Sequence, residues 1–245
     1  MTPDVIAGAL RDAARGFGVG EARVALRWRG GVWTTGVALQ VAQRAGRPAG
    51  EVVGRLREAL LDVPGVRAVE VSGGGFLGVR LAEGGEAALV EEIVRRPRAV
   101  AVAVAEDPRR DVERWAAAAG GGELLTQRER NPLFRVRYAQ SRARALVREA
   151  ARIGLAPEPG RVPGEDALVG ALGEHPWRGE PTRVARSLVR VADAFGGSEA
   201  MRRALPWGDE KPSAVHRARL ALAQAAGVVL VDGLTQLGVS APEHV

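Results

Sequence analysis

The stretch NPLFRVRYAQSRAR, which runs from Asn131 to Arg144, decides how the second half of the chain folds. Most of it belongs to the segment 132–152, in which apolar residues recur every three or four positions, as in a long helix. At helical spacing Phe134 and Tyr138 fall on one face of this helix. The segment therefore predicts an amphipathic helix that carries an aromatic stripe.

Five of the six arginines of this predicted helix lie on its other sides and are candidates for ligand binding. They form two groups: Arg137, Arg144 and Arg148 on one face, and Arg135 and Arg142, adjacent to each other one heptad apart. Guanidinium groups suit phosphate oxygens, and Tyr138, the one tyrosine of the chain, is able to stack on a nucleobase. The alternative interpretation is that Phe134 and Tyr138 are core residues and that the arginines solvate a surface.

The rest of the second half also has helical periodicity. Further helices are predicted at 166–172, 182–195, 198–205 and 213–237. No segment after Thr126 has the pattern of a strand. A helical bundle is the natural result.

The first half mixes the two kinds of element. Helices are predicted at 1–17, 37–45 and 49–61, and strands at 22–29, 66–71 and 76–81. A helix at 86–96, a strand at 98–106 and a helix at 111–119 follow, before the glycine triplet 120–122. We therefore predict an α+β domain at 1–82, a connecting segment at 83–126 and a helical domain at 127–245.

Composition narrows the class of protein. The 245 residues include no cysteine, which excludes disulfides and Cys-ligated metals, and the net charge is +6 with Lys211 as the single lysine. The excess of arginine reflects either the codon bias of a G+C-rich genome or a phosphate-binding surface. The sequence shows neither a signal peptide nor a membrane-spanning run, so we expect a soluble cytoplasmic protein with no membrane partner.

The stretch at 131–144 resembles the segment that opens the DALR anticodon-binding domain of arginyl-tRNA synthetases. The family pattern is Asn-Pro-Val-Tyr-Tyr-Val-Gln-Tyr-Ala-His-Ala-Arg. Its matches here are Asn131, Pro132, Val136, Tyr138, Ala139 and Arg142. Gln140 replaces the histidine of the pattern and Arg137 replaces its glutamine. The resemblance implies an all-α anticodon-binding bundle.

The end of the chain is similar to the ending of the same family, Asn-Gly-Leu-x-Leu-Leu-Gly-Ile-x-Ala-Pro-Glu-Arg-Met. The matching residues are Gly233, Leu234, Leu237, Gly238, Ala241, Pro242 and Glu243. In the family the terminal residues lie beside the anticodon. Val245 stands in place of the last methionine of the pattern.

Residues 31–78 resemble the additional N-terminal domain of these synthetases, which grips the tRNA elbow. The corresponding segments are GVWTTG at 31–36, GRP at 46–48 and SGGGFLG at 72–78. The aromatic positions are retained as Trp33 and Phe76, whereas two asparagines of the family are Gly36 and Gly78 here. Elbow binding is therefore either kept as stacking and phosphate contact or lost, and Trp33 is alternatively a core or edge aromatic.

Between the two regions of resemblance the family has a catalytic domain of a few hundred residues, and this chain has about fifty, too few for a doubly wound nucleotide domain. The signatures of class I aminoacylation, His-x-Gly-His and Lys-Met-Ser-Lys-Ser, are missing: His175, His216 and His244 are isolated, as is Lys211. We also expect no metal site, cofactor or serine nucleophile. The sequence therefore predicts a protein that is not an enzyme.

The leading hypothesis is a non-catalytic tRNA-binding protein that recognises an arginine tRNA or a similar RNA. The expected RNA-binding residues are Arg135, Arg137, Tyr138, Arg142, Arg144, Arg148, Trp33, Phe76, Arg217 and Arg219. A second hypothesis is a protein-interaction module that docks on a synthetase or on a tRNA-dependent enzyme. A third is a subunit of an arginine–tRNA ligase whose catalytic domain lies on another chain.

Overall fold

The structure, a computed structural model, describes residues 3–96, 107–121 and 127–242. The chain divides into two compact units, Met1–Leu89 (unit 1) and Val90–Val245 (unit 2). Within the described ranges there are ten helices and one four-stranded antiparallel sheet, so the protein is mixed α+β. The strand predicted at 98–106 lies outside the described residues.

Unit 1 combines the sheet with helices. Its elements are α1 (Pro3–Arg15), β1 (Arg27–Arg29), β2 (Val32–Thr35), α2 (Val37–Ala45), α3 (Ala49–Leu61), β3 (Val66–Ser72), β4 (Phe76–Leu81) and the first half of α4 (Gly85–Arg95). The strand order is β1-β2-β4-β3. Helices α2 and α3 pack on β4, and α3 also packs on β3.

Alternation along the strands gives the sheet one buried face. Trp33, Val69, Leu77 and Val79 point into the core of unit 1 and are almost fully buried. Trp33 pairs with Trp28 across β1 and β2, with ring centroids 4.9 Å apart. The strand predicted at 22–29 is regular only in its last three residues, because only these find partners in β2.

Unit 2 is helical wherever it has regular structure within the described ranges. It holds the second half of α4, followed by α5 (Pro108–Ala119), α6 (Pro132–Arg152), α7 (Asp166–Gly173), α8 (Pro181–Gly197), α9 (Glu199–Arg202) and α10 (Ala214–Gln236). The prediction of one helix at 132–152 is confirmed to the residue. The helix predicted at 198–205 is shorter and spans Glu199–Arg202.

Local chemistry explains why α6 begins and ends where it does. The Asn131 side chain accepts hydrogen bonds from the backbone N–H groups of Leu133 (2.9 Å) and Phe134 (3.2 Å), and Pro132 occupies the first helical position. At the other end Gly154 adopts a left-handed conformation (φ 70°), and the N–H of Leu155 returns to the Ala150 carbonyl. Both ends of the helix are therefore specified by sequence.

Helix α10 is the centre of unit 2 and packs against both α6 and α8. By length and composition alone it is apolar enough to cross a membrane, but 67% of its apolar window is buried inside the protein, as in a core helix. Two glycines of α10 face neighbouring helices, and only at Gly233 is the approach too close for a Cβ. Gly227 faces Ala143 of α6, and Gly233 faces Leu188 of α8.

Candidate nucleic-acid interface

The exposed side of α6 carries an aromatic pair. The Tyr138 side chain is 54% exposed, and its ring stacks on Phe134 with centroids 5.9 Å apart and an interplanar angle of 27°. Phe134 is half-buried and supports the tyrosine from below. Tyr138 is therefore a surface residue and not a core residue, and Phe134 supports one face of its ring.

Three arginines of α6 reach solvent, and Arg142 is the one next to the aromatic pair on the helix surface. Arg142 lies one helical turn after Tyr138, a rise of about 6 Å, and pairs with no acidic side chain among the described residues. Arg144 and Arg148 are also exposed, and Arg148 lies 4.0 Å from Glu149. The exposed surface of α6 thus presents a stacking ring with one cation beside it and two more on another side of the helix.

Arg137 was expected on this surface but is withdrawn from it. Its side chain is only 16% exposed and forms an ion pair with Asp111 of α5, whose side chain is 1% exposed. It also donates to the hydroxyl (2.7 Å) and the carbonyl (3.3 Å) of Ser240. The predicted face of Arg137, Arg144 and Arg148 is therefore split, because Arg137 lies at the edge where α6 meets α5 and the segment after α10.

Asp111 is the centre of this buried network. It accepts hydrogen bonds from the Ser240 backbone N–H (3.1 Å) and hydroxyl (2.6 Å) as well as from Arg137. One helical turn away, Arg114 donates to the carbonyl of Gly238. Helix α5 thus fastens the segment that follows α10. Sequence reasoning missed Asp111, since a single aspartate on a helix has no pattern that reveals a distant partner.

The remaining predicted arginines of unit 2 have partners within the protein. Arg135 forms an ion pair with Asp193 of α8, and the two side chains are 35% and 46% exposed. Arg217 lies 3.6 Å from Glu158 and stays exposed. Arg219 is half-buried and donates to the backbone carbonyl of Arg203 at 2.8 Å. Arg135 and Arg217 therefore remain accessible to an anion, whereas Arg219 holds the loop before α10.

That loop displays a tryptophan that sequence reasoning overlooked. Trp207 is 88% exposed, the highest value among the large apolar residues of the described ranges. Its turn is closed by hydrogen bonds in both directions between Trp207 and Glu210, and Gly208 adopts a positive φ of 57°. The sequence signal was the Leu-Pro-Trp-Gly stretch at 205–208, an aromatic residue enclosed by turn formers.

In unit 1 the two expected aromatics have opposite environments. Trp33 is 0% exposed, so of its two interpretations the structure favours the core residue, and its ring is not accessible for stacking. The reason is the strand period, which turns Trp33 towards the helices. Phe76 is 48% exposed and covers Gly36, where an added Cβ would lie 2.9 Å from the ring. A side chain at position 36 would therefore crowd the Phe76 ring where it now lies.

Phe76 belongs to the open face of the sheet. The register places on that face Arg27, Arg29, Val32, Thr34, Ala68, Glu70, Ser72, Phe76, Gly78 and Arg80. None of these ten residues is buried. Arg80 pairs with Glu70 at 2.9 Å, and Arg29 has no acidic partner among the described residues. This face of unit 1 offers one aromatic ring and several guanidinium groups.

A histidine in unit 2 lies between a serine and an aspartate. Nδ1 of His175 lies 3.1 Å from Ser187 Oγ, and Nε2 lies 3.4 Å from Asp232 Oδ2. Ser187 is 1% exposed in the middle of α8, so its hydroxyl is sealed from solvent. The hydroxyl and the carboxylate satisfy the two nitrogens of a neutral ring, and the group joins α8 to α10.

Burial lowers the pKa of His175 below its ordinary value of 6.5, although Asp232 acts in the opposite direction. Below pH 6.5 the imidazole of His175 is therefore protonated in the unfolded chain but stays neutral in the folded protein. The free energy of unfolding then falls as the pH drops from 6.5 towards the folded-state pKa. In urea titrations, the free energy of unfolding of the wild type is expected to fall more steeply with pH below 6.5 than that of His175→Gln. Equal slopes would contradict this assignment.

A cleft of about 820 Å³ lies beside α1 and α3 in unit 1. Its walls include Arg47 and Glu51, which form an ion pair, and Arg55 and Glu58, which form another. None of the residues predicted to bind RNA lines it. Among the described residues no group of three His, Asp or Glu side chains has the arrangement of a metal site.

No protein-family model matches this chain. No solved structure matches it either.

Proposed function

We propose that this chain is a non-catalytic RNA-binding protein that recognises tRNA, with an arginine tRNA as the first candidate, through the exposed face of α6 in a DALR-type helical bundle. The observation that carries the proposal is the supported, solvent-exposed ring of Tyr138 beside the unpaired guanidinium of Arg142. The likeness of residues 131–144 and 233–243 to anticodon-binding domains of arginyl-tRNA synthetases supports it.

The chemistry of this face suits an unpaired RNA segment. An aromatic ring that is fixed from one side and open on the other stacks on a base without losing further side-chain freedom. Arg142, Arg144 and Arg148 follow the same helix over about 9 Å and attract the phosphates that flank such a base. Arg135 adds a fourth cation once a phosphate replaces Asp193.

Unit 1 offers a second, weaker surface of the same kind. Phe76 and Trp33 were both expected to stack on bases, and of the two only Phe76 is exposed. Arg29 lies on the same face of the sheet as Phe76. Polar groups that read bases are scarce there, because Gly36 and Gly78 occupy the positions of the family's asparagines. We therefore assign to this face a stacking and phosphate contact rather than a base-specific one.

The proposal is tested by titrating the protein with an arginine tRNA, with a tRNA of another specificity and with an unstructured RNA of the same length. Tyr138→Ala is expected to weaken tRNA binding by about tenfold or more, because stacking contributes ~1–3 kcal/mol per base. Tyr138→Phe keeps the ring and is expected to bind as the wild type does. Arg142→Ala is expected to reduce the slope of log affinity against log salt by about one.

Arg11→Ala, on the exposed side of α1, is the control because it removes the same charge from a helix that carries none of the proposed contacts. Equal affinity for all three RNAs would rule the proposal out. So would a tRNA affinity that changes neither with salt concentration nor in Tyr138→Ala. The titrations are compared at a stated salt concentration, since affinities for RNA have no meaning without one.

A second candidate function is docking on a protein, and Trp207 favours it. Exposed tryptophans on rigid turns are typical anchors of protein interfaces, where they fill a pocket of the partner. A synthetase or an enzyme that uses charged tRNA would be the partner on this hypothesis. The two candidates differ in one observable property, because a complex that survives nuclease treatment is held by protein contacts and not by RNA.

A further inference from the structure

Three arginines line the exposed side of α8, and none of them belongs to the residues that the sequence predicts to bind RNA. Arg183, Arg186 and Arg190 follow one another at intervals of three and four residues, so they form one stripe. All three side chains are exposed, and the stripe extends over about 10 Å of helix.

The stripe is unfavourable for α8 in isolation. Like charges at these intervals repel one another, and Arg183 lies in the first turn, where the helix dipole opposes a cation and no acidic residue is present. Arg190 is compensated by Glu174 at 2.7 Å. Arg183 and Arg186 have no acidic partner among the residues that the structure describes. Concentrated positive charge of this kind suits an external anion.

An ion pair joins this stripe to the exposed face of α6. Asp193 follows Arg186 by seven residues and Arg190 by three, so it lies on the same side of α8. Its carboxylate binds Arg135 of α6, and neither side chain is buried. Arg135 is in turn one heptad before Arg142. The positive surface of α6 therefore continues onto α8, with Asp193 between the cations of the two helices.

We propose that α8 is a second phosphate-binding element of the RNA interface, and that Asp193 is an internal competitor that holds Arg135 until a phosphate replaces it. This inference rests on the proposed function. The ligand is the sugar–phosphate backbone of RNA, because forked guanidinium groups in a row fit successive phosphate oxygens and no aromatic residue lies on the stripe. Contacts of this kind add affinity without sequence preference.

Removing two cations from the stripe gives the first test. The double variant Arg183→Ala and Arg186→Ala is expected to bind tRNA on the order of tenfold more weakly at moderate salt, by a similar factor for all RNA sequences. The slope of log affinity against log salt is expected to fall by about 1.4–1.8, the value for two lost phosphate contacts. Arg11→Ala with Arg15→Ala in α1 removes the same charge and is expected to leave the slope unchanged.

Removing Asp193, the internal competitor for Arg135, is expected to change tRNA affinity in the opposite direction. Asp193→Ala is expected to strengthen tRNA binding by about three- to tenfold and to steepen the salt dependence by about one, because Arg135 then meets phosphate without first leaving a carboxylate. A gain of affinity is informative, since a variant that merely unfolds loses affinity. These side chains are exposed or half-exposed, and thermal melting verifies that each variant is folded.

The outcomes separate this inference from the proposed function. If Arg142→Ala weakens tRNA binding while the α8 variants bind as the wild type does, α8 is not part of the interface and RNA binding stands. If the wild type shows no salt-dependent affinity for tRNA, the proposed function and this inference fall together. If the α8 variants lose binding to polyglutamate and not to tRNA, the stripe recognises acidic protein and the assignment to RNA is overturned.

Discussion

Replacing Arg137 with methionine is expected to lower the free energy of unfolding by about 3 kcal/mol, towards the lower end of the range for breaking a buried ion pair. Methionine fills most of the same volume but leaves the carboxylate of Asp111, a residue that is 0% exposed, without its cation. The hydrogen bonds from Ser240 remain and compensate part of the loss. Urea titration followed by circular dichroism measures the change.

Arg142→Met is the matched control on the same helix. It exchanges the same residue types at an exposed position, where substitutions usually change stability by less than about 0.5 kcal/mol. The double variant Asp111→Leu with Arg137→Met is expected to be more stable than Arg137→Met alone, because no unpaired charge is left in the interior.

The same pair of variants separates a structural role of Arg137 from a role in RNA binding. If Arg137→Met keeps wild-type stability and loses tRNA affinity, then Arg137 leaves Asp111 to contact RNA, and its role is not structural. If it loses stability while tRNA affinity measured well below the melting temperature is retained, the buried network is its whole role. Arg142→Met is expected to show the reverse pattern.

Gly233→Ala is expected to destabilise unit 2 by about 1–3 kcal/mol, the usual result of adding a methyl group to a filled interior. A Cβ at this position would lie 2.9 Å from Cγ of Leu188 and closer still to its Cδ2. Leu188 is 0% exposed and packed between helices, so it has little room to move. Helices α8 and α10 would have to separate at their point of contact.

Gly227→Ala is the control on the same helix. Its Cβ would lie 3.5 Å from that of Ala143, an ordinary contact distance, with no other neighbour within 4 Å outside α10. The gain in helix propensity, up to about 1 kcal/mol, is therefore expected to leave this variant as stable as the wild type or more so. Thermal melting of the two variants side by side gives the answer, and similar melting temperatures would show that α8 and α10 are not in close contact at Gly233.

Helices with a clear period were predictable from the sequence, and short strands were less so. The bounds of α2, α3 and α6 agree with the predicted ones because their apolar positions recur at helical spacing and glycine or proline limits their ends. Strand β2 was not predicted, since four residues have no periodicity to detect. It exists because β1 and β4 supply hydrogen bonds from both sides, and β4 is remote in sequence.

In the candidate site, too, some side chains lie where the sequence predicts them and others do not. Tyr138 and Arg142 were predicted as site residues and are exposed as the prediction requires. Trp33 and Arg137 were also predicted to contact RNA, but Trp33 is a core residue and Arg137 is the partner of a buried carboxylate. Nothing in the local sequence distinguishes Arg137 from Arg142, because Asp111 and Ser240, the partners of Arg137, are 26 and 103 residues away along the chain.

By itself the sequence determined that unit 2 is helical, where α6 begins and ends, and that an aromatic stripe lies among arginines. These features depend on the helical period and on capping by Asn131, which act within a few residues. Only the tertiary structure decided which arginines face solvent, which are neutralised by Asp111 or Asp193, and that Arg183 and Arg186 extend the positive surface. Exposure and ion pairing depend on neighbours that the chain brings together from distant positions, and local patterns do not encode them.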